Sequence, residues 1–281
     1  MASREDIMTF DLSIDPAETV TIVKDFIKTY VSNSGSQSVV LGLSGGVDSA
    51  VVAVLCSEVL GKKNTHCIFL PDKATPESDK RDQQHLIDQF DLHSEVKDIT
   101  ELVGLFSDRC LLEPNKLALA NVKARLRMVI LFEYANMTHS LVCGTSNKSE
   151  LLIGYFTKYG DGGVDLMPIG DIYKTQVWEI ARYLDLPIDI IKKPPTAGLW
   201  KGQTDEKELR LSYVELDQIL YGLERKISFD RIVSEVGCSL DDVERVKRMR
   251  IKSQHKRRSA LIPKIGLRTP GLDWRSPILE G

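Results

Sequence analysis

Ser44-Gly45-Gly46-Val47-Asp48-Ser49 is the run of this chain best suited to chemistry. Paired glycines let a backbone approach a ligand closely and take positive φ. Successive backbone N–H groups ahead of a helix form a cradle for an anion such as phosphate. Ser44 and Ser49 add hydroxyl donors. Asp48 repels phosphate unless a divalent cation stands between them, which points to Mg²⁺. The plain alternative is a Gly/Ser turn with an Asp cap. The flanks argue against it. Val39-Val40-Leu41-Gly42-Leu43 reads as a strand buried on both faces, and Ala50 to Leu60 as a buried helix ended by Gly61. Other phosphate loops are excluded. Gly61-Lys62 is followed by Lys63, so no G-x-x-x-x-G-K-[ST] exists, and no G-x-G-x-x-G supports a hydride-transferring enzyme.

The elements that must position this loop alternate. Strands are expected at 66–70, 93–97 and 139–143 besides 39–43, and helices at 16–31, 76–90, 99–109 and 115–135. The fold expected is α/β: a doubly wound, Rossmann-like parallel sheet, taken as five-stranded, with C-terminal helices. Right-handed crossovers set the loops after each strand on one edge, where ligands bind. Gly144-Thr145-Ser146-Asn147-Lys148-Ser149-Glu150 therefore shares an edge with the 44–49 loop. Glu150 can complete a metal site with Asp48 and phosphate oxygens; by itself it reads as a solvated helix acid. Lys158, Asp161 and Asp165 lie in a Gly-rich stretch too polar for a core, where an Asp also caps turns. Lys174 opens a helix at 174–184, where an exposed lysine is the plain reading. Lys192-Lys193-Pro194-Pro195 forces extended backbone, and the polar Trp200–Glu208 stretch reads as a lid. Helices at about 208–222, 228–236 and 240–254 follow. One domain spans 1–281, with an α/β core at about 16–185 and a helical part at about 186–281.

Composition narrows the class. Hydrophobic residues are 42%, charged residues 27%, and the net charge is -3, as in a soluble globular protein without a whole-chain nucleic-acid footprint. Eight Lys/Arg lie within 244–258, a solvated basic helix unless they meet substrate phosphates. Five cysteines without C-x-x-C spacing suit buried free thiols in a reducing cytoplasm. No membrane helix and no signal peptide is readable.

The S-G-G-x-D-S loop resembles the pyrophosphate loop of the ATP pyrophosphatase superfamily. Further segments are similar to the NAD⁺ synthetase family, in the family's order: Asn121–Met128, Gly144–Glu150, Phe156–Asp165, Lys193–Ala197, Gly202–Glu206 and His255-Lys256-Arg257. Phe69, before Leu70-Pro71, stands where bacterial members often carry Arg. The resemblance implies amidation of deamido-NAD with ATP and ammonia, giving NAD⁺, AMP and pyrophosphate. It implies that Gly42, Leu43, Ser44, Gly45, Gly46, Val47, Asp48, Ser49, Thr145, Lys174 and Thr196 bind ATP. By the same resemblance Asp48 and Glu150 hold Mg²⁺, and Arg125, Lys158, Asp165, His255 and Lys256 hold deamido-NAD. Asp161 would handle ammonia, since a carboxylate gathers ammonium and accepts its proton. A chain whose ligase part opens near residue 16 is expected to lack a glutaminase domain and to take free ammonia, or ammonia from a separate donor protein. Leu117, Leu126, Val129, Ile130, Leu131 and Phe132 exceed one narrow stripe on the 115–135 helix, so a homodimer is expected. A tRNA-modifying pyrophosphatase would carry C-x-x-C or an RNA-binding domain. A nucleotide-sensing module would not need Asp48 together with Glu150.

Overall fold

A computed structural model describes residues 10–270 except 197 and 201. Ala197 of the Lys193–Ala197 segment, Lys201 of the expected lid and the 271–281 tail therefore lie outside the described residues.

Four strands form the sheet: β1 (Val39–Gly42), β2 (Thr65–Phe69), β3 (Ser94–Val96) and β4 (Leu141–Val142). All pair in parallel, in the order β3-β2-β1-β4. The fifth strand expected from sequence is absent among the described residues. Its place beside β4 is held by an isolated parallel bridge between Cys143 and Leu166. The physical reason lies in Asp165. Its side chain takes the Val142 N–H at 2.7 Å, so a carboxylate replaces the backbone acceptor that a longer ladder would supply. β4 also begins later than expected. His139, left-handed at φ 53, ends the preceding helix and is not part of the strand.

Helices cover both faces. On one lie α1 (Pro16–Asn33), α2 (Val47–Leu60) and α7 (Lys174–Tyr183), packed on Val39 and Leu41. On the other, α4 (Thr100–Asp108) and α5 (Lys116–Thr138) pack on Val40, Ile68 and Val142. Local chemistry sets their starts. Asp15 caps α1 by accepting from Ala17 and Glu18 ahead of Pro16 at the first turn, and Asn115 caps α5. α2 is buried nearly all round, as a helix sandwiched between the sheet and α1 must be. It begins at Val47, earlier than the sequence suggested, which brings Asp48 and Ser49 into its first turn. α3 (Glu77–Phe90) completes this half.

The C-terminal layer differs in detail from expectation. Short helices α6 (Lys148–Ile153) and α8 (Ile188–Lys192) were not legible. The helix expected at 208–222 is two: α9 (Asp205–Leu209) and α10 (Tyr213–Glu224). Arg210, at φ 55, breaks the first, and the Ser212 side chain caps the second. α10 packs with α11 (Phe229–Val236) and α12 (Leu240–Lys252) around Tyr213, Ile219 and Val243. Ile153 of α6 and Tyr173 before α7 join that second core, so the helical layer grips both elements.

Candidate active site

The strand order reverses between β1 and β4, and the loops that follow these strands part there. A cavity of about 390 Å³ opens at this edge, lined among others by Leu43, Ser44, Asp48, Thr145, Glu150 and Lys174.

The 44–49 loop is folded by its own serines. Ser49 Oγ accepts from Ser44 N at 3.2 Å and donates to Gly46 O at 3.0 Å. Ser44 Oγ accepts from Gly46 N at 3.3 Å. Gly45 sits at φ +78, and a Cβ there would stand 2.6 Å from the Asp79 carbonyl oxygen, so glycine is required twice over. Gly46 precedes α2 without a side-chain cap, which leaves the helix's first N–H groups and dipole facing the cavity.

Opposite this loop α6 begins with a capping box. Asn147 Oδ1 accepts from Glu150 N at 3.0 Å, and Glu150 Oε2 accepts from Asn147 N at 3.4 Å. The amide nitrogen of Asn147 donates to Asp48 Oδ1 at 3.0 Å. One side chain thus sets the two acids against each other. Sequence reading gave Asn147 no role, although the Asn-x-x-Glu spacing is the signal for such a cap.

Lys174 lies between the acids. Its ammonium is bonded to Asp48 Oδ2 and stands 3.8 Å from Glu150 Oε1, with its side chain only 3% exposed. Burial opposes the Lys174 charge, but Asp48 and Glu150 outweigh it and raise the lysine pKa. Burial and the Asp48 charge push Glu150 well above the ordinary carboxylate range. Asp205 joins from α9, its pKa raised by burial against the pull of Lys174, and accepts from Tyr213 Oη at 3.0 Å. The plain reading of Lys174 as a surface lysine is therefore wrong.

A second buried tie sits behind Lys174. Asp217 of α10, fully buried, accepts from Ser149 Oγ at 2.5 Å and from Thr175 N at 2.9 Å. Ser149 in turn accepts from Lys174 N at 2.9 Å. Burial pushes Asp217 up to about 6. Nothing in the sequence pattern singled it out, because an Asp on a helix reads as solvated.

The residues assigned to the second substrate divide. Asp161 and Lys256 line the cavity. Asp161 Oδ1 accepts from Thr157 N at 2.9 Å; the acid faces the open cavity yet is surrounded by protein, and burial raises its pKa. Lys256 donates to Gly154 O and Phe156 O at 2.7 and 2.8 Å. Burial lowers its pKa against the pull of Asp161. Arg125, Lys158, Asp165 and His255 do not line the cavity. Arg125 is exposed on α5 and donates to Lys158 O at 3.3 Å, and Asp165 serves the sheet edge. Arg127 lines the cavity instead, bonded to Leu70 O at 3.0 Å. The helical period from Ala120 through Lys123, Ala124 and Arg127 was the signal for that face. Phe69 is buried and lines the cavity where Arg stands in the bacterial pattern. Thr145 and Thr196 line it too. The start of the expected lid lies against α5: buried Lys123, paired with Asp72, donates to the carbonyl of the preceding Leu199 at 2.9 Å, and Lys116 stands 4.2 Å over the Trp200 ring.

With this geometry in place, likeness to known proteins can be set beside it. The NAD synthase family profile matches residues 19–260. The NH(3)-dependent NAD(+) synthetase of Archaeoglobus fulgidus is 46% identical over 243 residues, 85% of this chain and 94% of that protein. The solved NMN synthetase of Francisella tularensis superposes at TM-score 0.81 with 33% identity, covering 90% of this chain and 100% of that one. The NH3-dependent NAD synthetase of Campylobacter jejuni, solved with nitrate, gives TM-score 0.77 and 32% identity over the same shares. A profile match over most of the chain, and relatives that share both its length and its fold, place this protein in the NAD synthase family.

Proposed function

We propose that the protein amidates deamido-NAD with ammonia at the expense of ATP, giving NAD⁺, AMP and pyrophosphate, the last step of NAD⁺ formation. The observation that carries this reading is the meeting of the 44–49 loop with Asp48, Glu150 and Lys174 at one cavity. The loop would hold the β- and γ-phosphates. A carboxylate oxygen of deamido-NAD attacks the α-phosphorus, and the bond to pyrophosphate breaks. Ammonia then attacks the acyl carbon, and the bond to AMP breaks. Lys174, kept charged by its acid neighbours, would stabilise the negative charge building on departing pyrophosphate. Asp161 would take the proton that ammonium must lose before it attacks, a role for which a raised pKa suits a carboxylate. Catalysis of this kind is positioning and charge stabilisation, with no covalent bond to the enzyme.

Asp48 and Glu150 fit Mg²⁺. They are two carboxylates of like charge crowded around one cation, and Mg²⁺ takes one or two carboxylates plus substrate phosphates. Among the described residues no cluster of three acids, histidines or cysteines forms a closed cage, as a shared metal–phosphate site does not require one. When bound, Mg²⁺ would offset phosphate charge.

The proposed assembly is a homodimer through α4 and α5. Leu105, Phe106 and Val129 are 54%, 47% and 56% exposed there, an apolar face of the kind that partners cover, whereas Leu117 lines the cavity. Leu126, Ile130, Leu131 and Phe132 pack instead against the sheet. Among the described residues no helix is long and apolar enough to cross a membrane, and the free thiols suit the cytoplasm as the working compartment.

Incubation with ATP, Mg²⁺, ammonium and deamido-NAD should yield NAD⁺ and AMP in equal amounts. ADP in place of AMP would reject adenylation. Nicotinic acid mononucleotide belongs in a parallel arm, given the Francisella structure; amidation of the mononucleotide alone would reject the dinucleotide as substrate.

A further inference from the structure

The chain after α8 crosses the pyrophosphate loop, and Lys193 is fully engaged there. Its ammonium donates to Asp82 Oδ2 at 2.5 Å and to Gly45 O at 3.3 Å, and stands 2.8 Å from Asp79 Oδ1. Two hydrogen bonds and an ion pair thus tie the ammonium to the loop and to α3. Both acids belong to the start of α3. Asp79 presses directly on the loop, as the 2.6 Å approach of its carbonyl to a Cβ at Gly45 shows. The three side chains are largely hidden from water, at 17%, 10% and 18% exposure for Lys193, Asp79 and Asp82. Lys193 and Asp79 line the cavity that Ser44 and Asp48 line. Left uncancelled, two carboxylates at a phosphate cradle would repel the ligand, and partial burial denies them full screening.

We infer that Lys193 is a positioning residue for the nucleotide: it offsets part of the negative charge of Asp79 and Asp82 beside the pyrophosphate loop and holds that loop through the Gly45 carbonyl. The inference rests on the ATP reading proposed above. It is separable from that reading, because wild-type enzyme that releases no pyrophosphate from ATP would remove the reading itself. In active enzyme, Lys193→Gln should raise KM for ATP about tenfold or more and leave kcat within about threefold, since an unpaired, half-buried charge is costly. Lys193→Arg should keep KM near wild type. Adding Asp79→Asn and Asp82→Asn to Lys193→Gln should restore KM to within about threefold, because the uncompensated charge is gone. An unchanged KM in Lys193→Gln overturns the inference. So does a triple variant as impaired as the single one, which would mean that Lys193 acts on the phosphates itself. Should Lys193→Gln fail to fold, Asp82→Asn alone decides: it should lower KM for ATP and flatten its salt dependence, and a raised KM overturns the inference.

Discussion

Asp48 and Glu150 carry like charge on either side of one lysine, and each is held by Asn147. Asp48→Asn and Glu150→Gln should therefore each lower kcat by about a hundredfold to a thousandfold in a pyrophosphate-release assay, the scale of losing one preorganised electrostatic contact, with folding intact. Asp217 makes a prediction of opposite character. Its folded pKa of about 6 stands above the ordinary aspartate value of 3.8, mainly because burial disfavours the charge. A carboxyl raised on folding contributes fully below the unfolded value, and that contribution is lost as pH rises through the folded one. The loss is about 3 kcal/mol for a shift of this size. Asp217→Asn removes the titration. Denaturant titrations should show wild type losing about 2 kcal/mol relative to the variant between pH 4 and pH 7, most of the full loss, because the unfolded carboxyl is already more than half ionised at pH 4. A pH-independent difference would reject the buried charge. Asp48 stood out from its loop alone, while Glu150 and Lys174 were singled out only through the family resemblance, since each by itself reads as a surface residue. Asp217, Asn147 and Lys193 were not legible, because their work is done through contacts between segments far apart in sequence.

At the scale of elements, the 44–49 loop and α6 depend on backbone geometry that single side chains enforce. Gly45→Ala puts a Cβ at positive φ and against the Asp79 carbonyl. It should cost about 1–3 kcal/mol and weaken ATP binding more than it lowers the melting temperature suggests. Asn147→Ala removes the α6 cap and should cost about 1 kcal/mol, a fall in Tm of about 2–4 °C by calorimetry. An unchanged Tm would mean that the cap is dispensable. The alternation of buried strands and helices was enough to read the sheet, its parallel sense and the edge that carries the site. It was not enough for the strand count. Leu166 and its neighbours have strand-like partners, but the Asp165 carboxylate occupies the donor that a ladder needs, which no periodicity reports. Arg125 and Arg127 show the same limit at one helix: both are basic, and only the phase of α5 against the sheet decides which faces the cavity.

At the scale of the molecule, α5 is shared between two demands. One side lines the cavity through Leu117, Asn121, Ala124 and Met128, and the other exposes Val129. Val129→Glu should turn the proposed dimer into monomers in sedimentation velocity, because charges at a buried apolar contact are strongly disfavoured. A wild-type chain that sediments as an active monomer would remove the dimer altogether. The basic 244–258 stretch, open from sequence to either solvent or substrate, divides: Lys256 lines the cavity, and other cations brace the fold. Arg257 donates to the Leu151 and Leu152 carbonyls at 2.7 and 2.8 Å, and Arg245 to Leu209 O at 2.5 Å, so two of its cations close helix ends.

That the α10 carboxylate at position 217 ties down both Ser149 and the start of α7 has a bearing on biosynthesis. A ribosome releases residues 44–49 long before it releases residue 217. A partly made chain thus has the 44–49 loop but lacks the brace that ties Ser149 to the start of α7. On the proposed function, chains ending before α10 would not turn substrate over, and activity would begin only when the last third of the polypeptide has docked.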